Sequence, residues 1–309
     1  MRLLLGITCC LAAINVVTFN LYAHDKRRAQ DGGWRVPERR LILLAAMGGA
    51  LGAFVAMRVC HHKTRKLKFV LTVTPLMVVQ VLAYAAFLGM ALYSLTSHGP
   101  DPEALEALES DDTVVVSEVD NGYFFDGPGS DSLFVFYPGA YVRAGAYAPL
   151  MHELAQQGMD CVALGMPYDL AFLGVGRAGG VIAEGGYESY YVGGHSLGGV
   201  AAAMYAARHE DELAGVILLA AYSTDDLSDS GLAVLSAYGS NDGILFGGSY
   251  ESNRENLPAD TVELVIDGGN HAQFGSYGEQ HGDGEATISA AEQRSATESA
   301  ILSLGLFSS

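Results

Sequence analysis

The apolar positions of this chain change rhythm near residue 96. Before it they come in long unbroken runs. Residues 3–23 and 69–95 carry no charge, and residues 41–57 form a 17-residue run rich in glycine and alanine. About 20 apolar residues are needed to cross a bilayer, so the first and third runs predict transmembrane helices. The second is marginal: it either crosses, or dips in and returns with Gly48, Gly49 and Gly52 packed against a neighbouring helix. From residue 113 onward the apolar runs are short. Strands are expected at 114–119, 123–125, 133–137, 161–164, 190–193, 216–221, 233–238 and 262–266. Helices are expected at 147–157, 199–208, 250–256 and 287–304. Apolar strands alternating with helices predict an α/β domain with a mostly parallel sheet buried on both faces. Its first two strands read as an antiparallel hairpin.

Charge separates the same two regions. Residues 1–96 hold twelve Lys and Arg against three Asp and Glu, a balance of +9. Residues 97–309 hold five Arg, no Lys and 32 acidic residues, a balance of −27. That places a basic unit beside anionic lipid and an acidic unit in water, and it argues against nucleic acid as a partner. The expected division is a membrane domain over 1–96 with two or three transmembrane helices, an acidic linker over 97–112, and the α/β domain over 113–309. The linker, with two prolines and a run of acids, reads as a solvated tether with a short helix over 103–108. The first run has only Arg2 before it, which favours an anchor over a cleaved signal peptide. Basic residues crowd both short loops, Lys26–Arg40 and Arg58–Lys68. If the middle run crosses, the positive-inside rule cannot satisfy both loops; if it re-enters, both are cytoplasmic. The step from the basic flank of the third run to its acidic flank places Arg58–Lys68 inside, giving a multi-pass membrane protein with an extracytoplasmic α/β domain. Adjacent His61 and His62 cannot share one metal site on a helix and are expected to be interfacial. The four cysteines show no zinc or disulfide spacing. The stretch HDKRRAQDGGWRVPERRLILLAAMGGALGA, followed by RVCHHKTRK, resembles a family of small bacterial membrane domains of unknown function over roughly residues 1–95.

The chemistry-bearing stretch is YYVGGHSLGGVAAAMYAARHEDE. A strand enters Gly194-His195-Ser196-Leu197-Gly198, and a helix leaves it. This is the G-x-S-x-G pattern in the strand–turn–helix setting it requires. The serine needs a strained backbone, so Gly194 and Gly198 supply positions without side chains. The helix N-terminus directs free N–H groups at the serine, and Leu197 offers one of them to an oxyanion. These residues resemble the nucleophile elbow of the α/β-hydrolase superfamily, and the domain as a whole is similar to its compact bacterial members. The resemblance implies the order serine, acid, histidine.

Of the histidines after Ser196, His209 ends the elbow helix, His281 lies in a polar loop, and His271 follows the last strand in Gly268-Gly269-Asn270-His271. His271 is therefore the expected general base. Asp242, in Ser240-Asn241-Asp242-Gly243 after a strand, holds the family's usual acid position; Asp267, Asp225 and Asp226 are the alternatives. The second oxyanion N–H is expected from Ala140 or Tyr141, in the loop Tyr137-Pro138-Gly139-Ala140-Tyr141. An open pocket is expected, roofed by Tyr141, residues 166–168, Phe172 and the segment around Tyr222. Gln273, Phe274 and Tyr277 either line it or pack beneath it. Gly174-Val175-Gly176-Arg177-Ala178-Gly179 matches G-x-G-x-x-G literally, but no acid ends a second strand about 20 residues on, so it is read as a loop rather than a dinucleotide site.

The expected activity is a membrane-anchored serine hydrolase acting on a small-molecule ester or related acyl substrate, with neither metal nor organic cofactor. The same triad also serves peptidases, thioesterases, acyltransferases and perhydrolases. A non-catalytic ligand-binding module on the hydrolase fold is the alternative of a different kind.

Overall fold

The structure is a computed structural model that describes residues 2–120, 122–129, 131–245 and 247–304. It divides into two compact units, Met1–Leu95 and Thr96–Ser309.

The first unit is helical: α1 (Arg2–Gln30), α2 (Glu38–Leu44), α3 (Ala50–Val59) and α4 (Leu67–Thr96). Glu38–Val59 and Leu67–Gly89 are long and apolar enough to cross a membrane. On α4 the large apolar side chains Leu71, Val79, Leu82 and Leu88 are all exposed. The α2–α3 segment is not straight. A 22-residue helix would hold its ends about 33 Å apart. Yet Glu38 is ion-paired at 3.2 Å with Lys63, four residues past Val59. The path reverses at Gly48, whose φ of 108° is open to a residue without Cβ. The segment is therefore a helical hairpin.

Interrupting a helix strands its backbone polar groups, and two side chains take them up. Asn15 donates to the Gly48 carbonyl at 3.0 Å and accepts from the Gly52 N–H at 2.8 Å. Gln80 also donates to the Gly48 carbonyl and accepts from the Leu51 N–H at 3.1 Å. At the open end of the hairpin, fully buried Asp25 accepts from the Val36 N–H at 2.9 Å and pairs with His62 at 2.8 Å and Lys63 at 3.3 Å. His62 is thus buried rather than interfacial, because a carboxylate withdrawn from water requires partners.

The second unit is an eight-stranded sheet: β1 (Val115–Val119), β2 (Gly122–Asp126), β3 (Ser132–Tyr137), β4 (Asp160–Ala163), β5 (Ser189–His195), β6 (Gly215–Leu219), β7 (Ala233–Gly239) and β8 (Val262–Ile266). Their order is β1-β2-β4-β3-β5-β6-β7-β8. The β1–β2 hairpin adds antiparallel to β4, and all other neighbours are parallel. Side-chain alternation sorts the central strands onto two cores. Phe134, Phe136, Ile217 and Leu219 pack with Leu150, Met151 and Leu154 of α6 (Ala148–Gln156) and Ile301 of α10 (Ala290–Ser303). Val135, Tyr137, Val216 and Leu218 pack on the other face, with Ala178 of α7 (Arg177–Glu184) and Ala201, Ala202 and Tyr205 of α8 (Leu197–Ala206). Helix α7 was not expected; Gly176 of the G-x-G-x-x-G segment precedes it as its N-cap, and α9 (Gly247–Asn253) lies between β7 and β8.

Residues 97–112 correct the tether expectation. Asp101 caps a short helix, α5 (Pro102–Glu106), by accepting from the Ala104 N–H. Ala104 is buried, and Ala107 and Leu108 lie against the sheet core. Asp111 accepts from the Thr113 and Val114 N–H groups, and Glu103 pairs with Arg294 at 2.8 Å. An apolar stripe, with carboxylates placed at caps and ion pairs, makes this segment part of the fold.

Candidate active site

Strand β5 ends at His195 and helix α8 starts at Leu197. Ser196 sits between them at φ 53°, ψ −125°, a backbone state that persists only where its surroundings impose it. Its N–H is tied to the Leu219 carbonyl at 2.9 Å. A Cβ at Gly194 or Gly198 would run into the Tyr137 carbonyl oxygen. The turn is tight because β5, β3 and α8 converge there without intervening side chains.

His271 follows β8 and Asp242 follows β7, so both lie at the carboxyl edge of the sheet, like Ser196. His271 Nδ1 and Asp242 Oδ2 are 2.8 Å apart, with side chains 1% and 3% exposed. Asp242 Oδ1 accepts from the Ile244 and Leu245 N–H groups at 2.8 and 2.7 Å. With Nδ1 turned to the carboxylate, the other ring nitrogen, Nε2, has no hydrogen-bond partner among the described residues. The His271 ring lies 4.5 Å, centroid to centroid, from that of His195, the residue before Ser196. The alternative acids are employed elsewhere: Asp226 accepts from Ser228, Asp225 from Thr224, and Asp267 from Ser240. His209 stacks on Tyr205 at 4.2 Å.

Among the described residues, the Ala140 and Leu197 N–H groups make no hydrogen bond. The Tyr141 N–H, the other expected oxyanion donor, is bonded to the Asp169 carbonyl at 2.7 Å. That bond occupies the Tyr141 N–H, whereas the Ala140 N–H has no such partner among the described residues. Phe274 and Tyr277 are buried and pack toward His195, with centroids at 5.8 and 6.5 Å. They support the site from beneath rather than lining a pocket.

Several positioning groups had no sequence signal. Tyr147, fully buried, accepts from the Gly139 N–H at 3.0 Å, and its hydroxyl lies 2.9 Å from His195 Nδ1. Burial, and then the neighbouring His271, hold the His195 pKa well below the ordinary histidine value, so this ring is neutral. Asp283 Oδ1 accepts from Gly243, His271 and Gly284 N–H groups at 3.0, 3.2 and 2.8 Å, and Oδ2 from Ala272 at 2.8 Å. One carboxylate thereby joins the acid loop to the histidine loop. Buried Gln293 on α10 pairs with both backbone groups of Asn270, at 3.0 and 2.8 Å. The only hint of Asp283 was an aspartate between two glycines; its role depends on N–H groups that meet only in three dimensions.

The alpha/beta hydrolase family matches residues 133–295, just over half of the chain. A family described as a protein of unknown function (DUF1294) matches residues 15–69. The uncharacterized protein YsdA of Bacillus subtilis is 37% identical over 81 residues, which cover 26% of this chain and 91% of that protein. Among solved structures, TT1662 from Thermus thermophilus is similar at 15% identity and a TM-score of 0.45, over 63% of this chain and 98% of that one. Est1E from Butyrivibrio proteoclasticus is similar at 14% identity and a TM-score of 0.44, over 62% and 98%.

Proposed function

This chain belongs to the alpha/beta hydrolase family, and from that premise we propose that it is a membrane-anchored serine hydrolase cleaving an ester or related acyl substrate. The observation that carries the reading is the buried 2.8 Å Asp242–His271 pair, with an unpaired Nε2, beside a strained serine turn. In the reaction, His271 Nε2 takes the Ser196 proton as the hydroxyl oxygen bonds to the acyl carbon. Asp242 holds the tautomer and balances the imidazolium charge. The oxyanion falls between the Ala140 and Leu197 N–H groups. Collapse of the intermediate expels the leaving group, which takes the proton from His271. Water, deprotonated by the same imidazole, then releases the acid and restores Ser196.

The helical hairpin supports a membrane topology. With its two ends fastened at Asp25 and Glu38, both basic loops lie on one side, which the positive-inside rule makes cytoplasmic. Helices α1 and α4 then cross, and the hydrolase unit after α4 is extracytoplasmic. The catalytic test is fluorophosphonate labelling and short-chain ester hydrolysis by the full chain, both lost in Ser196→Ala. Labelling that survives this substitution, or its absence in the natural chain, refutes the nucleophile.

A further inference from the structure

We propose that the mouth of this site rests on the bilayer surface and takes an uncharged or zwitterionic acyl ester directly from the lipid leaflet. This deepens, and rests on, the reading of a membrane-anchored serine hydrolase. The second unit begins at Thr96, the last residue of the apolar helix α4. The chain has no slack beyond that point. The Ser97 hydroxyl donates to Asp169 at 2.9 Å. The His98 N–H donates to the Tyr141 carbonyl at 2.6 Å, and the His98 carbonyl accepts from the Arg143 N–H at 3.0 Å. A parallel bridge pairs His98 with Val142. Two extended residues span at most about 7 Å. The chain therefore enters the hydrolase unit within that reach of the loop carrying Ala140, the oxyanion donor.

The surface at this entry is apolar. Tyr141, Tyr168, Phe172 and Leu173 are 38%, 70%, 43% and 59% exposed. Tyr141 and the 168–173 segment are tied together by the bond from the Tyr141 N–H to the Asp169 carbonyl, and the Ala171–Leu173 turn follows directly. Exposed large apolar groups in a contiguous patch mark an interaction surface, and tyrosine favours the membrane–water boundary. The backbone is under strain here: Tyr141, Tyr168 and Asp169 have φ values of 58°, 54° and 52°. Left-handed residues with side chains cluster where structure is held for use. The unit carries 32 acidic residues and no lysine, so it presents little to attract an anionic headgroup. That leaves neutral and zwitterionic amphiphiles as the substrate class.

The test uses the full chain in phosphatidylcholine vesicles. With the single tryptophan removed by Trp34→Phe, Leu173→Trp is compared with Val262→Trp, on edge strand β8. Phosphatidylcholine brominated on its acyl chains is expected to quench the first strongly and the second little. Equal quenching at the two positions overturns the proposal, including the case in which another protein covers the patch. In the activity arm, Leu173→Glu is expected to lower turnover of a vesicle-embedded long-chain ester severalfold relative to a short-chain soluble ester. An unchanged ratio also overturns it. Should the natural chain hydrolyse neither ester, the hydrolase reading falls, while quenching still decides the bilayer contact.

Discussion

Replacing Tyr147 by phenylalanine isolates the clamp between the oxyanion loop and the elbow. The ring keeps its packing against Phe136 and Tyr277, at centroid distances of 4.6 and 6.5 Å, and only the hydroxyl is lost. Two hydrogen bonds go with it, at 3.0 Å to Gly139 and 2.9 Å to His195. The Gly139 N–H becomes a buried donor without an acceptor, which costs about 1–3 kcal/mol. The bond between the hydroxyl and His195 Nδ1 is lost as well. We expect about 2 kcal/mol of destabilisation in all, a fall in Tm of about 4–8 °C for a unit of this size. Gly139 immediately precedes Ala140. Loss of one oxyanion donor lowers kcat by about 10²–10³, and loosening the donor without removing it should lower kcat by roughly 10- to 100-fold. KM should hardly move, because the oxyanion exists only beyond the ground state. The assays are short-chain ester kinetics and thermal unfolding of the detergent-solubilised chain. Full kcat with Tm within about 1 °C of the natural chain would refute the clamp.

Asp283→Asn turns at least one backbone N–H of the acid and histidine loops toward an amide NH2. It should slow ester turnover and fluorophosphonate labelling alike, by about tenfold, which corresponds to roughly 1.4 kcal/mol; slowing of only one would contradict the shared dependence on His271. His195 is neutral when folded, with its pKa held down by burial, whereas the unfolded chain binds a proton below about pH 6.5. Its contribution to stability is therefore complete above pH ~6.5 and declines as the pH drops toward the folded pKa, by up to about 1.4 kcal/mol per pH unit. His195→Gln should flatten that part of the Tm–pH curve, and an unchanged curve would rule out His195 as its source. The hairpin predicts that cysteines placed by Asp31→Cys and Arg65→Cys in a cysteine-free chain react with an impermeant maleimide from the same, cytoplasmic, side; reaction from opposite sides would mean that residues 38–59 cross.

The sequence by itself determined the strands, the elbow and the change of character near residue 96. These are local or periodic signals. Apolar runs such as 133–137 and 216–221 can be satisfied only inside a covered sheet, and Gly194 and Gly198 flank Ser196 because a turn that tight leaves no room for a Cβ. Asp242 and His271 could be put forward as acid and base because each follows a strand, at the sheet edge that any such fold presents. Tertiary structure decided what depends on distant backbone groups meeting. A run of 17 apolar residues has the same composition whether it runs straight or turns back; Asn15 and Gln80, both outside it, satisfy the polar groups that a reversal exposes. Tyr141 and Ala140 are equivalent donors on paper, until Asp169 accepts from one of them. Acidic composition suggested a free linker at 97–112, but Ala104 and Leu108 find apolar surface that exists only once the sheet and its helices have assembled. Periodicity reports which side of an element is buried; it does not report which remote N–H or carbonyl will be waiting there.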